Sequence, residues 1–160
     1  MSDYLIRPLD WQHAPACAQI DRPCAGAERA WSPDDFLAWS AAPTQGGLVA
    51  VWRRQVVGFV LYASRQHGRK LALLRIGIAP GWRRRRVGSA LLQHLRRGLA
   101  AFADVPLLAL VHERDLPMQC FLRANGLRAV RICPQRCGAD DAYLFAATAQ
   151  EAAEAPAARR

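Results

Sequence analysis

The chain has 160 residues, 52% of them hydrophobic, and a formal net charge of +9 at pH 7. This length suits a single domain that buries about two-thirds of the surface of its unfolded chain. No apolar run approaches the ~18 residues of a membrane span, and the Met-Ser-Asp start does not resemble a signal peptide. We therefore expect a cytoplasmic protein with no membrane partner.

Arginine supplies 21 of the 22 basic residues, against 13 acidic ones, and such a balance can indicate a nucleic-acid partner. No RNA-binding signature, zinc-finger spacing or aromatic-basic strand pattern accompanies it, so we attribute the excess to the codon bias of a GC-rich genome. The five cysteines include no Cys-x-x-Cys pair, which favours reduced thiols and disfavours a metal site.

The N-terminal part of the chain predicts one strand and two helices. Residues 4–8 predict a short strand ended by its proline, and a helix is expected over residues 11–20. A loop rich in Pro, Gly and Ala is expected over residues 21–30. The second helix begins after Ser32, which can cap it, and ends near Ala41.

Three strands are then predicted at residues 47–53, 56–64 and 71–79, with polar turns between them. Directly after the third strand comes the run Arg83-Arg84-Arg85-Arg86-Val87-Gly88. Apolar residues after this run recur every three or four positions, which predicts an amphipathic helix to about Ala103.

The last predicted elements are a short apolar strand at residues 106–111, a helix at residues 116–124 and two closing strands. The helix ends at Asn125-Gly126, a pair that favours the left-handed backbone of a helix stop. The closing strands lie near residues 127–132 and 142–147.

The order of these elements is β-α-α-β-β-β-α-β-α-β-β. It predicts a mixed α/β (α+β) fold with one central, mostly antiparallel sheet flanked by helices. Residues 71–111 form its parallel part, so a ligand is expected at the carboxyl ends of those strands. Residues 148–160, rich in Ala and Glu, are expected to form a flexible tail, which leaves residues 1–147 as the domain.

The four consecutive arginines lie between a buried strand and the N-terminus of a helix. Free backbone N–H groups and the positive end of the helix dipole favour an anion there, and guanidinium groups add to the attraction. A cofactor that carries a pyrophosphate is therefore the first ligand to consider. The alternative is a basic turn that is merely solvated.

The turn and the element order resemble the GNAT superfamily of acetyl-CoA-dependent N-acetyltransferases, whose signature is R/Q-x-x-G-x-G/A at a strand-to-helix turn. Counted from Arg83, the second glycine of this motif is Gly88, and Arg86 stands in place of the first. A register that begins at Arg85 and ends at Ala90 also satisfies the pattern, but the spacing from the preceding Pro-Gly-Trp favours the first register.

Three other segments are similar to those of the RimI-like ribosomal-protein alanine N-acetyltransferases within this superfamily. They are Trp31-Ser32 with Phe36, the stretch from Phe121 to Leu127, and the stretch from Gly138 to Ala142.

The resemblance implies acetyl-CoA as the cosubstrate, with no metal. Its pyrophosphate would bind the backbone from Arg84 to Ser89, and its pantetheine arm would pair with the strand from Ile76 to Ile78, where one N–H would polarise the thioester carbonyl. For Arg86 to replace the glycine, we expect a negative φ. The implied cofactor-binding residues are Ile76, Gly77, Ile78, Arg83, Arg84, Arg85, Arg86, Val87, Gly88, Ser89, Ala90 and Asp115.

The catalytic positions depart from the resemblance. The glutamate and tyrosine that the RimI-like enzymes use align with Leu110 and Leu122, which puts activity in doubt and leaves the catalytic residues unassigned. Glu113 and Asp115 are candidate bases and Tyr143 is a candidate acid. Surface carboxylates and a tyrosine that packs on the sheet are the alternative explanations.

We predict an N-acetyltransferase that moves the acetyl group of acetyl-CoA to a primary amine, of a protein N-terminus or of a small molecule, by direct transfer in a ternary complex. Two alternatives stay open: a catalytically weak or inactive GNAT module that binds acyl-CoA for a regulatory role, and a basic nucleic-acid-binding protein. His112 could be structural or a base. The chain could be a monomer or a homodimer.

Overall fold

The computed structural model describes residues 4–100 and 105–147. In these ranges the order of strands and α-helices is the predicted one. The strands are β1 Leu5–Pro8, β2 Gln45–Trp52, β3 Gln55–Arg65, β4 Lys70–Ile78, β5 Leu107–His112, β6 Arg128–Cys137 and β7 Asp140–Ala147. The helices are α1 Ala14–Ala25, α2 Pro33–Ala41, α3 Val87–Ala100 and α4 Leu116–Ala124, and short 3-10 turns occupy Trp11–His13 and Pro80–Trp82. The end predicted for α3 near Ala103 and the predicted tail at 148–160 lie outside the described residues.

The strands form one sheet in the order β1-β2-β3-β4-β5-β7-β6. Antiparallel pairing joins β1 to β2, β2 to β3, β5 to β7 and β6 to β7, whereas β4 and β5 are parallel. The mixed fold with a mostly antiparallel sheet is therefore confirmed. No helix in the described ranges is long and apolar enough to cross a membrane.

Backbone contacts divide the described chain into two compact units. The first contains residues 4–63 and 74–95, and the second contains residues 64–73, 96–100 and 105–147.

The core of the first unit is aromatic. Phe36 of α2 and Phe59 of β3 are fully buried and meet edge to face, with ring centroids 5.1 Å apart. Trp31 packs against Phe36 with a centroid distance of 5.4 Å. A Cβ at Gly77 of β4 would lie 2.5 Å from the ring of Phe59, closer than a real carbon contact allows. The strand therefore needs glycine at this position because the buried ring fills the space.

The core of the second unit is formed by large apolar residues of β5, α4 and β7 and of the turn after α4. Its most buried members are Leu107, Leu122, Leu127 and Phe145. The strand β6 pairs with β7 through an irregular register and is exposed along nearly its whole length. The turn after α4 contains Gly126 at φ +83°, as its Asn-Gly pair predicts.

The first helix is longer than predicted. The loop expected from residue 21 onward begins only at Gly26, which has φ +81°, and Pro23 lies within the helix. The cause is tertiary: Asp21 is 1% exposed and accepts hydrogen bonds from the Trp31 backbone and the Arg75 guanidinium, which holds the last turn of α1 in place. The prediction from composition therefore ended this helix at residue 20, whereas α1 continues to Ala25.

We expect the change Gly77→Ala to lower the free energy of unfolding by about 1–3 kcal/mol, because the added methyl group must displace the buried Phe59 ring. The matched control is Gly98→Ala in α3, where a Cβ would meet nothing within 4 Å. That change should raise stability by about 0.5–1 kcal/mol, since alanine favours a helix interior. Urea denaturation of both variants measures the two effects, and equal shifts would contradict the close contact.

Candidate functional site

The turn between β4 and α3 has an alternating backbone. Arg83 has φ −64° and ψ 150°, while Arg84 and Arg86 have φ +63° and +61°. The expectation that Arg86 has a negative φ is therefore wrong. The left-handed region costs an L-residue only about 1–2 kcal/mol, so arginine can occupy the conformation that favours glycine.

This alternation leaves a row of backbone donors free. The N–H groups from Arg84 to Ser89 donate to no acceptor among the residues that the structure describes, and the first helical bond runs from the Ala90 N–H to the Arg86 carbonyl at 2.9 Å. Successive N–H groups around left-handed residues form an anion-binding nest, and the first turn of a helix adds its own free donors. The turn thus presents a row of free main-chain donors of the kind that anion sites use.

The side chains of the arginine run are exposed and differ in their contacts. The Nε of Arg83 donates to the Ile78 carbonyl at 3.3 Å, and its Nη2 lies 3.4 Å from the Sγ of Cys24. The guanidinium of Arg85 lies 5.2 Å from the ring centroid of Trp82. None of Arg83 to Arg86 forms an ion pair with a carboxylate in residues 4–100 and 105–147, so their charge is available to a ligand.

The predicted cofactor strand, Ile76 to Ile78, runs directly into this turn. The Arg83 side chain joins the two, and the Cys24 thiol also lies 3.6 Å from the Ile78 carbonyl. The ladder between β4 and β5 covers only Leu71 to Leu73, so Ile76 to Ile78 lie outside it. The structure therefore brings together, within the first unit, all the predicted cofactor-binding residues except Asp115.

The three predicted catalytic candidates lie in the second unit. Glu113 is half-buried, and its backbone N–H donates to the Asp141 carbonyl at 3.0 Å, just beyond β5. Tyr143 lies on β7 opposite Val111 of β5 and is half-buried. Asp115 caps α4: its Oδ1 accepts the Met118 N–H at 3.1 Å. One oxygen of Asp115 is thus used to begin a helix, whereas the carboxylate of Glu113 forms no hydrogen bond or ion pair with the described residues.

His112, at the end of β5, has both ring nitrogens engaged. Its Nδ1 accepts the Arg114 N–H at 3.0 Å, and its Nε2 lies 3.2 Å from Oδ2 of Asp140. The second oxygen of Asp140 accepts from the Arg114 guanidinium at 3.1 Å. The imidazole of His112 thus links β5 to the start of β7. Because neither nitrogen has a free lone pair, this residue is poorly placed to act as a base.

The two leucines at the aligned catalytic positions have different surroundings. Leu110 is 47% exposed on β5, whereas Leu122 is 0% exposed and belongs to the core of the second unit. A side chain at position 122 therefore contributes to packing, and neither leucine can transfer a proton. Among the described residues, no group of three His, Cys, Asp or Glu side chains could hold a metal ion.

The first unit also contains a buried ion pair that was not predicted from the sequence. Oδ2 of Asp21 accepts from Nη1 of Arg75 at 2.6 Å and from the Trp31 N–H at 2.8 Å. Nη2 of Arg75 donates to the Arg29 carbonyl at 3.1 Å, and its guanidinium lies 4.9 Å from the Trp31 ring centroid. One guanidinium thus ties α1 and the loop after it to β4.

A signal for this pair was present in the sequence. An acid on the apolar face of α1 and a single arginine within the apolar run of β4 are each costly to bury unless the two meet. Burial, together with the Asp21 charge, raises the pKa of the neighbouring Cys17 thiol to about 12, so this cysteine stays protonated at neutral pH.

The chain is similar to a known protein family in sequence and to known proteins in structure. A sequence model of the acetyltransferase (GNAT) family matches residues 14–126. No curated protein sequence matches the chain.

Solved structures of the same fold are numerous. One is the ribosomal-protein-S18-alanine N-acetyltransferase from Escherichia coli, with a TM-score of 0.74, 20% identity, and coverage of 91% of this chain and 93% of that one. Another is Arabidopsis thaliana NAA60 in complex with acetyl-CoA, with a TM-score of 0.77, 16% identity and coverage of 92% and 99%. A third, an aminoglycoside 6'-N-acetyltransferase complexed with coenzyme A, has a TM-score of 0.79, 15% identity and coverage of 91% and 97%.

We expect Arg86→Gly to raise the free energy of unfolding by about 0.5–1 kcal/mol, because glycine removes the cost of the left-handed backbone. Arg86→Ala is the matched control, since it removes the same guanidinium but keeps the unfavourable φ. Urea denaturation should show a gain for glycine alone. Equal stability of the glycine and alanine variants would argue against the left-handed conformation.

We expect Asp21→Asn to lower the free energy of unfolding by about 3–5 kcal/mol, because it leaves the Arg75 charge without its partner in a largely buried setting. Glu28→Gln, in the exposed loop after α1, is the control and should change stability by less than about 0.5 kcal/mol. Thermal and urea unfolding measure both variants. A small effect at Asp21 would show that solvent screens the pair.

Proposed function

Because the chain belongs to the acetyltransferase (GNAT) family, we propose that it transfers the acetyl group of acetyl-CoA to a primary amine, of a protein N-terminus or of a small molecule. The observation that carries this proposal is the row of free N–H groups from Arg84 to Ser89. A pyrophosphate presents several anionic oxygens at once, and few other ligands match so long a row of main-chain donors at a helix start.

The cofactor is proposed to bind in two parts. Its pyrophosphate accepts hydrogen bonds from the backbone of Arg84 to Ser89, and the unpaired guanidinium groups of Arg84 and Arg86 add charge-assisted bonds. Its pantetheine amides pair with the backbone of Ile76 to Ile78, beyond the end of the β4/β5 ladder. The Ile78 carbonyl already accepts from Nε of Arg83, and the weak thiol donor of Cys24 beside it is the contact that a pantetheine amide would replace.

The proposed reaction depends mainly on polarising the thioester and on holding the two reactants together, and side chains only transfer protons. The nitrogen of the neutral amine attacks the thioester carbonyl carbon, the C–S bond breaks, the thiolate of coenzyme A leaves, and the nitrogen loses a proton. A β4 N–H polarises the carbonyl, and binding both reactants in one complex supplies the proximity. Glu113 is the proposed base, because its carboxylate is half-buried and not engaged, whereas Asp115 is committed to capping α4. Tyr143 is the candidate acid for the thiolate.

A second function is favoured by Leu110 and Leu122. An apolar side chain at each of these positions suits a module that binds acyl-CoA without efficient turnover and so serves a regulatory role. For the active enzyme, the N-terminal amine of a ribosomal protein, which is the acceptor of the RimI-like enzymes, is included among the proposed acceptors. The similarity to the E. coli enzyme, at 20% identity, supports the fold that such a substrate would need.

The test is calorimetric binding of acetyl-CoA and of acetyl-pantetheine, which lacks the pyrophosphate. We expect the double variant Arg84→Gln/Arg86→Gln to weaken acetyl-CoA binding by about tenfold or more and to leave acetyl-pantetheine binding unchanged. The control is Arg128→Gln/Arg131→Gln on the exposed strand β6, which should bind both ligands as the unmodified protein does.

Three outcomes separate the alternatives. Acetylated product from a panel of peptides and small amines, detected by mass spectrometry, supports the enzyme. Binding of acetyl-CoA without product supports the regulatory module. DNA binding that weakens steeply with salt, with no affinity for acetyl-CoA, overturns both and supports a nucleic-acid-binding protein. A structure with the pyrophosphate away from Arg84 to Ser89 would also overturn the cofactor assignment.

A further inference from the structure

A cavity of mixed polar and apolar lining lies in the first unit, beside the strand that leads to the arginine turn. It has a volume of about 670 Å³ and is formed by β1, the 3-10 turn before α1, α1 itself, the β2–β3 hairpin and Ala79-Pro80. A volume of this size falls within the range of about 300–1,000 Å³ that small-molecule sites occupy. No residue of Ile76 to Ile78 or Arg83 to Ala90 lines it, although Ala79 and Pro80, which do, lie between these two segments in the chain.

The lining of this cavity is rich in hydrogen-bond donors and lacks carboxylates. Its polar side chains are Arg7, Gln12, His13, Gln19, Arg54 and Gln55, and the rest of the wall is mainly apolar. Neither arginine forms an ion pair with a carboxylate of residues 4–100 and 105–147. Two unpaired guanidinium groups on one concave surface create a positive potential that an anion would relieve.

His13 adds a donor whose direction is fixed. Its Nδ1 lies 3.1 Å from the Asp10 backbone nitrogen and 3.2 Å from Oδ1 of the same residue, so this nitrogen is engaged and Nε2 is the one left for a ligand, to which the charged ring donates. Asp10 in turn caps the same turn, with its Oδ1 accepting the Gln12 N–H at 2.9 Å. The acidic group in contact with His13, that of Asp10, thus lies on the Nδ1 side of the ring.

The hairpin that carries Arg54 is conformationally costly. Arg53 and Arg54 have φ +44° and +69°, the geometry of a two-residue turn that favours Asn-Gly. Arg53 stacks over Trp52, with its guanidinium 4.6 Å from the ring centroid, whereas Arg54 lines the cavity. The turn thus holds a charged side chain at the cavity where glycine would fit the backbone better.

We propose that this cavity binds a small organic anion whose carboxylate or phosphate group is held by Arg7, Arg54 and Nε2 of His13. The apolar wall accepts the body of the ligand, and the glutamine amides contact its polar substituents. Guanidinium groups bind both kinds of oxyanion, so the structure defines the shared chemistry and the experiment below separates the two.

The test uses benzoate and phenyl phosphate as probes and benzyl alcohol as the neutral control. Titrations are followed in ¹⁵N-labelled protein through the side-chain amide signals of Gln12, Gln19 and Gln55, with and without saturating coenzyme A. We expect at least one anion to shift these signals in both conditions and the alcohol to leave them in place. The probe with the lower Kd identifies the preferred group as carboxylate or phosphate.

The variant Arg7→Gln/Arg54→Gln should raise the Kd of the probe by about tenfold or more. Both side chains are exposed, so the fold should be kept, and an unchanged backbone spectrum elsewhere verifies this. Arg128→Gln/Arg131→Gln is the charge-matched control and should bind the probe normally. Probe signals that follow the backbone of Arg84 to Ser89, displacement by coenzyme A, or undiminished binding to the Arg7/Arg54 variant would each overturn the proposal. These readouts do not depend on acetyl transfer.

Discussion

The proposed site depends on one constraint, the backbone conformation of the turn between β4 and α3. Left-handed conformations at Arg84 and Arg86 direct a continuous row of N–H groups away from the protein's own acceptors. On the strand side, β4 lies so close to the buried ring of Phe59 that position 77 requires glycine. The helix that follows is anchored by Val87 and Leu91, both buried on its apolar face. Core packing on either side of the turn thus holds a conformation that the arginines themselves disfavour.

Much of this architecture could be predicted because its signals are local. Helical periodicity predicted α3, and the Asn-Gly pair predicted the end of α4. The arginine-rich turn was also predicted to lie between a strand and a helix start, where the structure has it. The φ of Arg86 could not be obtained in this way, since it depends on neighbours that outweigh the preference of a single residue. The end of α1 was misplaced for a similar reason: the partner that stabilises it, Arg75, is 54 residues away along the chain.

The catalytic side is less predictable because it depends on side-chain placement in the second unit. Asp115 and Glu113 are two residues apart, yet one caps a helix and the other keeps its carboxylate unengaged. The sequence gives no means to distinguish them. His112 illustrates the same difficulty, because an imidazole is a common catalytic base, yet its two nitrogens here are already engaged by Arg114 and Asp140. Chemistry in this unit is decided by hydrogen-bond partners that only the folded chain supplies.

A site made of main-chain donors has an evolutionary consequence. A point mutation can alter or remove a side chain, but every amino acid except proline keeps its N–H, so the row of donors from Arg84 to Ser89 survives most substitutions. Selection on such a turn acts first on whether the backbone can hold its angles, whereas the exposed side chains add only their charge. Drift toward arginine codons could therefore replace even a signature glycine, at the cost of some folding free energy and without loss of the donors.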